Sequence, residues 1–294
     1  MFKAHLSTIK HLLHILIVNP RFFLKRVISE LRAFVSPLPK KPVLKNINGV
    51  MFNFYFAYSD KIKKMYFGTF QPSVEEVLKK YLKNGDTFID VGANIGYFSL
   101  IAAGLVGKNG QVHSFEPVPE YFQKLKKLSE ANTRYEIMVN QFALGDKEKI
   151  EKIYIGGPSH IGNNTFFPDL LNGIKEIKNA SVSIRRLDKY IKEKNINNIK
   201  LIKIDVEGFE FFVLKGLEEF FLECSKNRSC PLIICEIVPE VYINSGQRLG
   251  DVFEYMAKFS YFPFDVINTK KRININEVKK RRTIDVLFKP DKLK

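Results

Sequence analysis

The 294-residue chain has no tryptophan, only three cysteines and no long apolar run. Cys224, Cys230 and Cys235 are too few for a disulfide scaffold, and their separations fit no common zinc motif. Cys235 sits in the apolar run Leu232-Ile233-Ile234-Cys235 and reads as a buried free thiol. Cysteine used so sparingly points to a reducing, cytoplasmic compartment. The N-terminal apolar stretch from Leu12 to Val18 is broken by His14 and closed by Pro20. It falls far short of the roughly 20 apolar residues that cross a bilayer. No small-residue cleavage site follows it, which excludes a secretory signal of the ordinary kind. Acid is scarce too: 31 Asp and Glu stand against 47 Lys and Arg, a formal charge of +16.

That excess is uneven. Residues 1–41 carry eight basic residues against one acid, Glu30, and a second basic cluster spans Lys270 to Arg272 and Lys279 to Arg282. Within the first segment, Phe23, Val27, Leu31 and Phe34 recur near helical spacing, and Pro37 and Pro39 end the pattern. Residues 1–47 therefore read as a basic amphipathic extension. Such a helix either lies on an anionic membrane, here the cytoplasmic face, through residues 1–41, or packs on its own domain.

From residue 48 onward the chain reads as one α/β domain. A lead-in strand or hairpin at Gly49 to Tyr55 precedes a helix from Pro72 to Leu82. Strands at Thr87–Val91, Gln111–Phe115 and Glu136–Phe142 then alternate with helices at Tyr97–Leu105 and Tyr121–Leu128. The rhythm resumes with a strand at Ile199–Asp205, a helix from Glu210 to about Phe221, and a strand at Leu232–Ile237. A helix at Val252–Phe259 and two terminal strands close the chain. This order predicts a Rossmann-like fold: a mostly parallel sheet, an antiparallel C-terminal strand and helices on both faces. Between about 147 and 186 the helical rhythm is lost, and an irregular insertion is expected at the binding surface.

The segment Asp90-Val91-Gly92-Ala93-Asn94-Ile95-Gly96 carries the strongest local signal. Gly92 and Gly96 permit a tight strand-to-helix turn that brings backbone close to a nucleoside and its amino-acid tail. Asp90 at the strand tip suits an ammonium group. Glu116 ends the next strand, where an acid accepts from ribose hydroxyls, and Pro117 turns the chain away. A dinucleotide fold would need glycines where Asn94 and Tyr97 stand, and would not place an aspartate beside a pyrophosphate.

These motifs resemble the FkbM-type methyltransferases, a class I family. The resemblance runs through Asn84-Gly85-Asp86, the Asp90–Gly96 loop, Phe115-Glu116-Pro117, Asn140 and Ala143-Leu144-Gly145-Asp146. It continues through Leu187-Asp188, Lys203-Ile204-Asp205-Val206-Glu207-Gly208 and Val213-Leu214-Lys215-Gly216. The family's Tyr-Glu-Pro ahead of the first strand is replaced by Phe70-Gln71-Pro72. The resemblance implies methyl transfer from S-adenosyl-L-methionine to an oxygen of a carbohydrate, glycolipid or other hydroxyl-bearing small molecule. Carried onto this chain, it implies Asp90, Gly92, Asn94, Gly96, Glu116 and Pro117 as cofactor residues, with Asn140, Ala143 and Leu144 at the adenosine.

Such a transfer requires alignment of the acceptor oxygen and a destination for its proton. Asp205 at a strand tip and Glu207 in the following turn are the candidate catalytic acids, and His160 in the insertion is a candidate base. The competing structural roles are helix capping by Asp205 and neutralisation of Lys203 by Glu207. Glu236 could join both acids around magnesium, but no coordination loop is recognisable, so no metal is expected. Two other functions compete. A nucleic-acid methyltransferase is disfavoured, because no Pro-Pro-Tyr-type motif occurs and the basic residues cluster at the ends. A non-enzymatic binding module of the same fold is the other.

Overall fold

The computed structural model describes eight positions between 16 and 31, then residues 43–47, 50–54, 60–157, 162–174, 176–227, 229–244 and 248–291. The eight early positions are helical and include Phe23, Val27 and Leu31 of the expected apolar face; Phe34 and the basic residues of positions 1–41 lie outside the described residues. Among the described residues, no helix is long and apolar enough to cross a membrane.

A hairpin of β1 (Val43–Ile47) and β2 (Val50–Phe54) leads into α1 (Asp60–Phe67) and α2 (Pro72–Tyr81). The alternating core follows. It runs β3 (Thr87–Val91), α3 (Tyr97–Val106), β4 (Gln111–Phe115), α4 (Pro119–Glu130) and β5 (Glu136–Asn140). After an inserted sheet come α5 (Leu187–Glu193), β10 (Ile199–Ile204), α6 (Glu210–Lys215), α7 (Glu218–Asn227) and β11 (Leu232–Ile237). The chain closes with α8 (Pro239–Asn244), α9 (Leu249–Lys258), β12 (Tyr261–Asp265), α10 (Ile275–Lys279) and β13 (Ile284–Pro290).

Seven strands form the main sheet in the order β12-β13-β11-β10-β3-β4-β5. Pairing is parallel from β11 to β5, while β13 runs antiparallel to both β11 and β12, as the sequence predicts. The central strands read as unbroken apolar runs because both faces are covered: every residue of β3 and β11 is buried. Helix α3 is apolar nearly all round for the same reason. Each fully buried side chain such as Ile202 or Leu214 contributes about 1.5–3 kcal/mol. Strand order reverses between β3 and β10, so the crevice beyond their C-terminal ends is where this architecture binds ligands.

Three local expectations change. Residues 147–186 are not irregular. They hold β7 (Lys149–Gly156), β8 (Asn164–Thr165) and β9 (Ile177–Arg185), which join β6 (Ala143–Leu144) in a four-stranded sheet. The long β7–β9 pairing satisfies the backbone while leaving mostly polar side chains outside, which hides the apolar alternation of a strand. The helix expected from Glu210 to Phe221 is two helices, because the chain passes tightly over a carbonyl at Gly216. A Cβ there would fall 2.1 Å from the Gly145 oxygen. Finally, Cys224 and Cys230 form a disulfide, their Cα atoms brought to 4.9 Å by the reversal between α7 and β11. Only Cys235 is a free, buried thiol, so the cysteines no longer argue for a reducing compartment.

Candidate active site

The glycine loop is held from both sides. The N–H groups of Gly92 and Ala93 donate to the Phe115 carbonyl at 3.0 and 2.9 Å, and the Asp205 N–H donates to the Val91 carbonyl at 3.0 Å. Gly92 takes φ 81°, and a Cβ at that position would lie 1.9 Å from the Asp205 carbonyl oxygen. Only glycine satisfies both conditions. Asn94 also has positive φ, and its backbone N–H donates to Glu116 Oε2 at 2.8 Å. The Val118 N–H donates to Glu116 Oε1 at 2.8 Å. Each carboxylate oxygen retains acceptor capacity after one such bond. Burial pushes the Glu116 carboxyl up to about 7 against these two N–H groups, and the Asp90 and Asp205 charges add to the rise.

A cleft opens above this loop. Gly92, Asn94, Glu116 and Pro117 line one side, with Phe142, Ala143, Leu144 and Phe209 opposite. Ile153, Asn164 and Phe166 reach in from the inserted sheet. The mixture of apolar walls and a few polar groups is that of a small-molecule site. One of its polar groups is the buried carboxylate of Glu116. Three members of the expected cofactor set lie elsewhere. Asp90 is 1% exposed under the loop and accepts from Ser99 Oγ at 2.6 Å. Gly96 packs against Leu125 as the N-cap of α3. The Asn140 amide donates to the Ser114 carbonyl at 3.2 Å and ties β5 to β4. None of the three lines the cleft.

A second chamber adjoins the first through Gly92, Asn94, Gly162, Asp205 and Glu207, which line both. Its remaining walls are Lys61, Met65 and Phe70 from the α1–α2 region, Tyr97 and Phe98 from α3, and Lys203. Both candidate catalytic acids are therefore at the junction. Lys203 is 2% exposed and donates to Asp205 Oδ2 at 2.9 Å. Burial presses Asp205 upward, but the Lys203 and Lys61 charges hold it below the usual carboxylate range. The same ion pair, with Asp90, raises Lys203 despite its burial. Glu207 occupies a left-handed turn at φ 51°, its carbonyl accepting from Thr165 Oγ1 at 2.8 Å. Burial and then the Asp205 charge raise its carboxyl to about 7.

Neither competing structural role applies to these acids. Glu210, not Asp205, collects the loop N–H groups, accepting from Val206 at 3.2 Å and Gly208 at 2.9 Å. Asp205, not Glu207, neutralises Lys203. His160 lies outside the described residues. Sequence reasoning missed Lys61, Glu210 and Asp285, and underrated Lys203. Only the last carried a signal: one charge inside the apolar run Leu201-Ile202-Lys203-Ile204.

Strand order 3-2-1-4-5-7-6, counted along the parallel core, with the seventh strand reversed and a glycine loop after the first, defines the class I methyltransferase fold. The chain belongs to the FkbM methyltransferase family, whose domain profile matches residues 90–261. It is 33% identical over 141 residues to a protein-L-isoaspartate O-methyltransferase of Methanococcus aeolicus, covering 46% of this chain and 62% of that protein. It is 31% identical over 173 residues to the 31-O-demethyl-FK506 methyltransferase FkbM of Streptomyces tacrolimicus, covering 47% and 62%. It is 24% identical over 183 residues to the hexuronic acid methyltransferase AglP of Haloferax volcanii, covering 60% and 69%. The chain thus spans less than two thirds of the first two relatives' length.

Proposed function

We propose that the protein transfers a methyl group from S-adenosyl-L-methionine to a hydroxyl of a carbohydrate, glycolipid or related small molecule. The observation that carries this reading is the pair of chambers meeting at Gly92, Asn94, Asp205 and Glu207. S-adenosyl-L-methionine, when bound, supplies a methyl group on a sulfonium ready for in-line displacement. The first chamber fits it: Glu116 offers acceptor oxygens to ribose hydroxyls, and Phe142, Ala143 and Leu144 offer an apolar wall to adenine. Gly92 and Asn94 bring the loop backbone close to the amino-acid tail. Asp90, Gly96 and Asn140 act behind them by fixing the loop.

The second chamber offers the polar groups that a polyhydroxyl acceptor would use. Asp205, kept ionised by Lys203, accepts a hydrogen bond from the hydroxyl and orients its oxygen toward the donor side. Glu207 stands beside it as a second acceptor. Phe70, Tyr97 and Phe98 supply flat apolar faces for a sugar ring. The AglP relative, a hexuronic acid methyltransferase by name, supports a sugar acceptor. We also infer that the basic extension meets an anionic membrane surface, since its described side chains Ile17, Leu24 and Leu31 are 81%, 59% and 58% exposed.

Calorimetric titration with S-adenosyl-L-methionine and with NAD tests the donor half. Binding of the first and not the second is expected; preference for NAD overturns the reading. Methyl transfer to cell-glycan extracts, followed by mass spectrometry, tests the acceptor half.

A further inference from the structure

The register of the main sheet builds an acidic row beyond what donor binding requires. Lys203 and Ile204 of β10 pair with Ile234 and Cys235 of β11, so the next step brings Asp205 level with Glu236. On the other side of β11, Glu236 pairs with Asp285 of β13. Side chains alternate along strands, so Asp205, Glu236 and Asp285 share one face on three neighbouring strands. Glu207 comes back over the row from its turn. One carboxylate oxygen from each of Asp205, Glu207 and Glu236 lies within 4.8 Å of the others. Oxygens this close together can share one divalent cation, whose oxygen ligands stand about 2.0–2.6 Å away.

Two further oxygens, outside that trio, lack any donor. Asp285 Oδ1 is sealed from solvent without a hydrogen-bond partner, and so is Oδ1 of Asp90, the residue paired with Lys203 across the strands. Lys203 is the one ammonium among the described residues that is ion-paired with the group, and it occupies a single oxygen of Asp205. Buried carboxylates in this excess require compensation by protons or by a cation. An all-oxygen donor set favours a hard divalent ion over a soft one.

We propose that Asp205, Glu207 and Glu236 bind a divalent cation of the magnesium type, with Asp285 adding negative charge behind it. The proposal rests on the methyl-transfer reading, because two of the ligands, Asp205 and Glu207, line the chamber assigned to the acceptor. Three protein ligands leave open positions on a six-coordinate ion, which suits an acceptor offering two adjacent oxygens, such as a vicinal diol of a sugar. In the transfer the acceptor O–H gives its proton to a carboxylate of the row or to water. The new C–O bond then forms as the C–S bond breaks, with its electron pair passing to sulfur. The cation draws the hydroxyl oxygen into place and makes its proton more acidic, and is neither oxidised nor reduced.

Manganese(II) is the probe, with free ion measured by paramagnetic resonance as full-length protein is added. One saturable site per chain, displaced by magnesium, is expected. Glu236→Gln and Glu207→Gln should each weaken manganese binding at least tenfold while circular dichroism stays unchanged. Glu207 lies in a turn, so its variant reports even if a change at buried Glu236 prevents folding. Absence of a saturable site, or wild-type affinity in the folded variants, overturns the proposal. S-adenosyl-L-methionine affinity, measured beside it in EDTA, should hold within threefold. Its failure would overturn the methyl-transfer reading and leave the manganese result to stand separately.

Discussion

Gly92 and Asp205 meet backbone to backbone, so closely that a single added Cβ on residue 92 would lie 1.9 Å from the Asp205 carbonyl oxygen. The donor loop and the acid-bearing turn are therefore one mechanical unit. Gly92→Ala should strain a positive φ and force β3 and β10 apart at their tips. The loss of stability should be at least about 2 kcal/mol, read as a lowered urea midpoint, with donor binding lost together with it. Wild-type affinity in Gly92→Ala would show that the contact is dispensable.

Glu116 gives a pH dependence with a definite sign. Its folded value of about 7 exceeds the ordinary 4.5, so the folded chain holds the proton more tightly than the unfolded chain. Its contribution to stability is full below about 4.5 and is lost as pH rises to about 7, by up to about 3 kcal/mol. Donor binding has the opposite slope, because the ionised carboxylate accepts from ribose. Affinity for S-adenosyl-L-methionine should weaken up to tenfold per pH unit below about 7. Glu116→Gln should flatten both profiles, and calorimetry between pH 5.5 and 8.5 with parallel thermal melts measures them.

Lys203 and Asp205 should behave as a coupled pair. Lys203→Met strands buried carboxylates and should destabilise by about 3–5 kcal/mol. Adding Asp205→Asn should restore part of that loss, although Asn leaves the shape of the acceptor chamber nearly intact. A double-mutant cycle in urea gives the coupling, and simple additivity would show that the two groups act independently.

The basic extension should confer salt-sensitive attachment to vesicles of anionic lipid, at about 1 kcal/mol per engaged Lys or Arg. Deleting residues 1–41 should abolish co-sedimentation, and high salt should reverse it in the intact protein. Equal sedimentation of the truncated and intact chains would remove the membrane from consideration.

The parallel core was legible because its strands are apolar at every position and its loops carry fixed chemistry. The Asp90–Gly96 turn, Glu116 and the Asp205–Glu207 turn fall where the spacing predicts. The inserted sheet was not legible, since β7 and β9 find their partners in each other and expose polar residues such as Lys149, Glu151 and Lys178. Lys61 was invisible for a different reason. Nothing within α1 marks it, and its place beside Gly162 comes from packing between segments a hundred residues apart. Asp285 shows the same limit: only the antiparallel register of β13 sets it opposite Glu236.

Lys61 and Met65 lie on α1, ahead of residues 90–261, which the family's domain profile matches. The half of the crevice assigned to the donor is thus built within that stretch, whereas part of the other half comes from a helix outside it. Substitutions in α1 should therefore change acceptor choice more than donor affinity, since Lys61 and Met65 line only the second chamber. A lineage carrying this scaffold could in this way acquire new targets by altering one short helix.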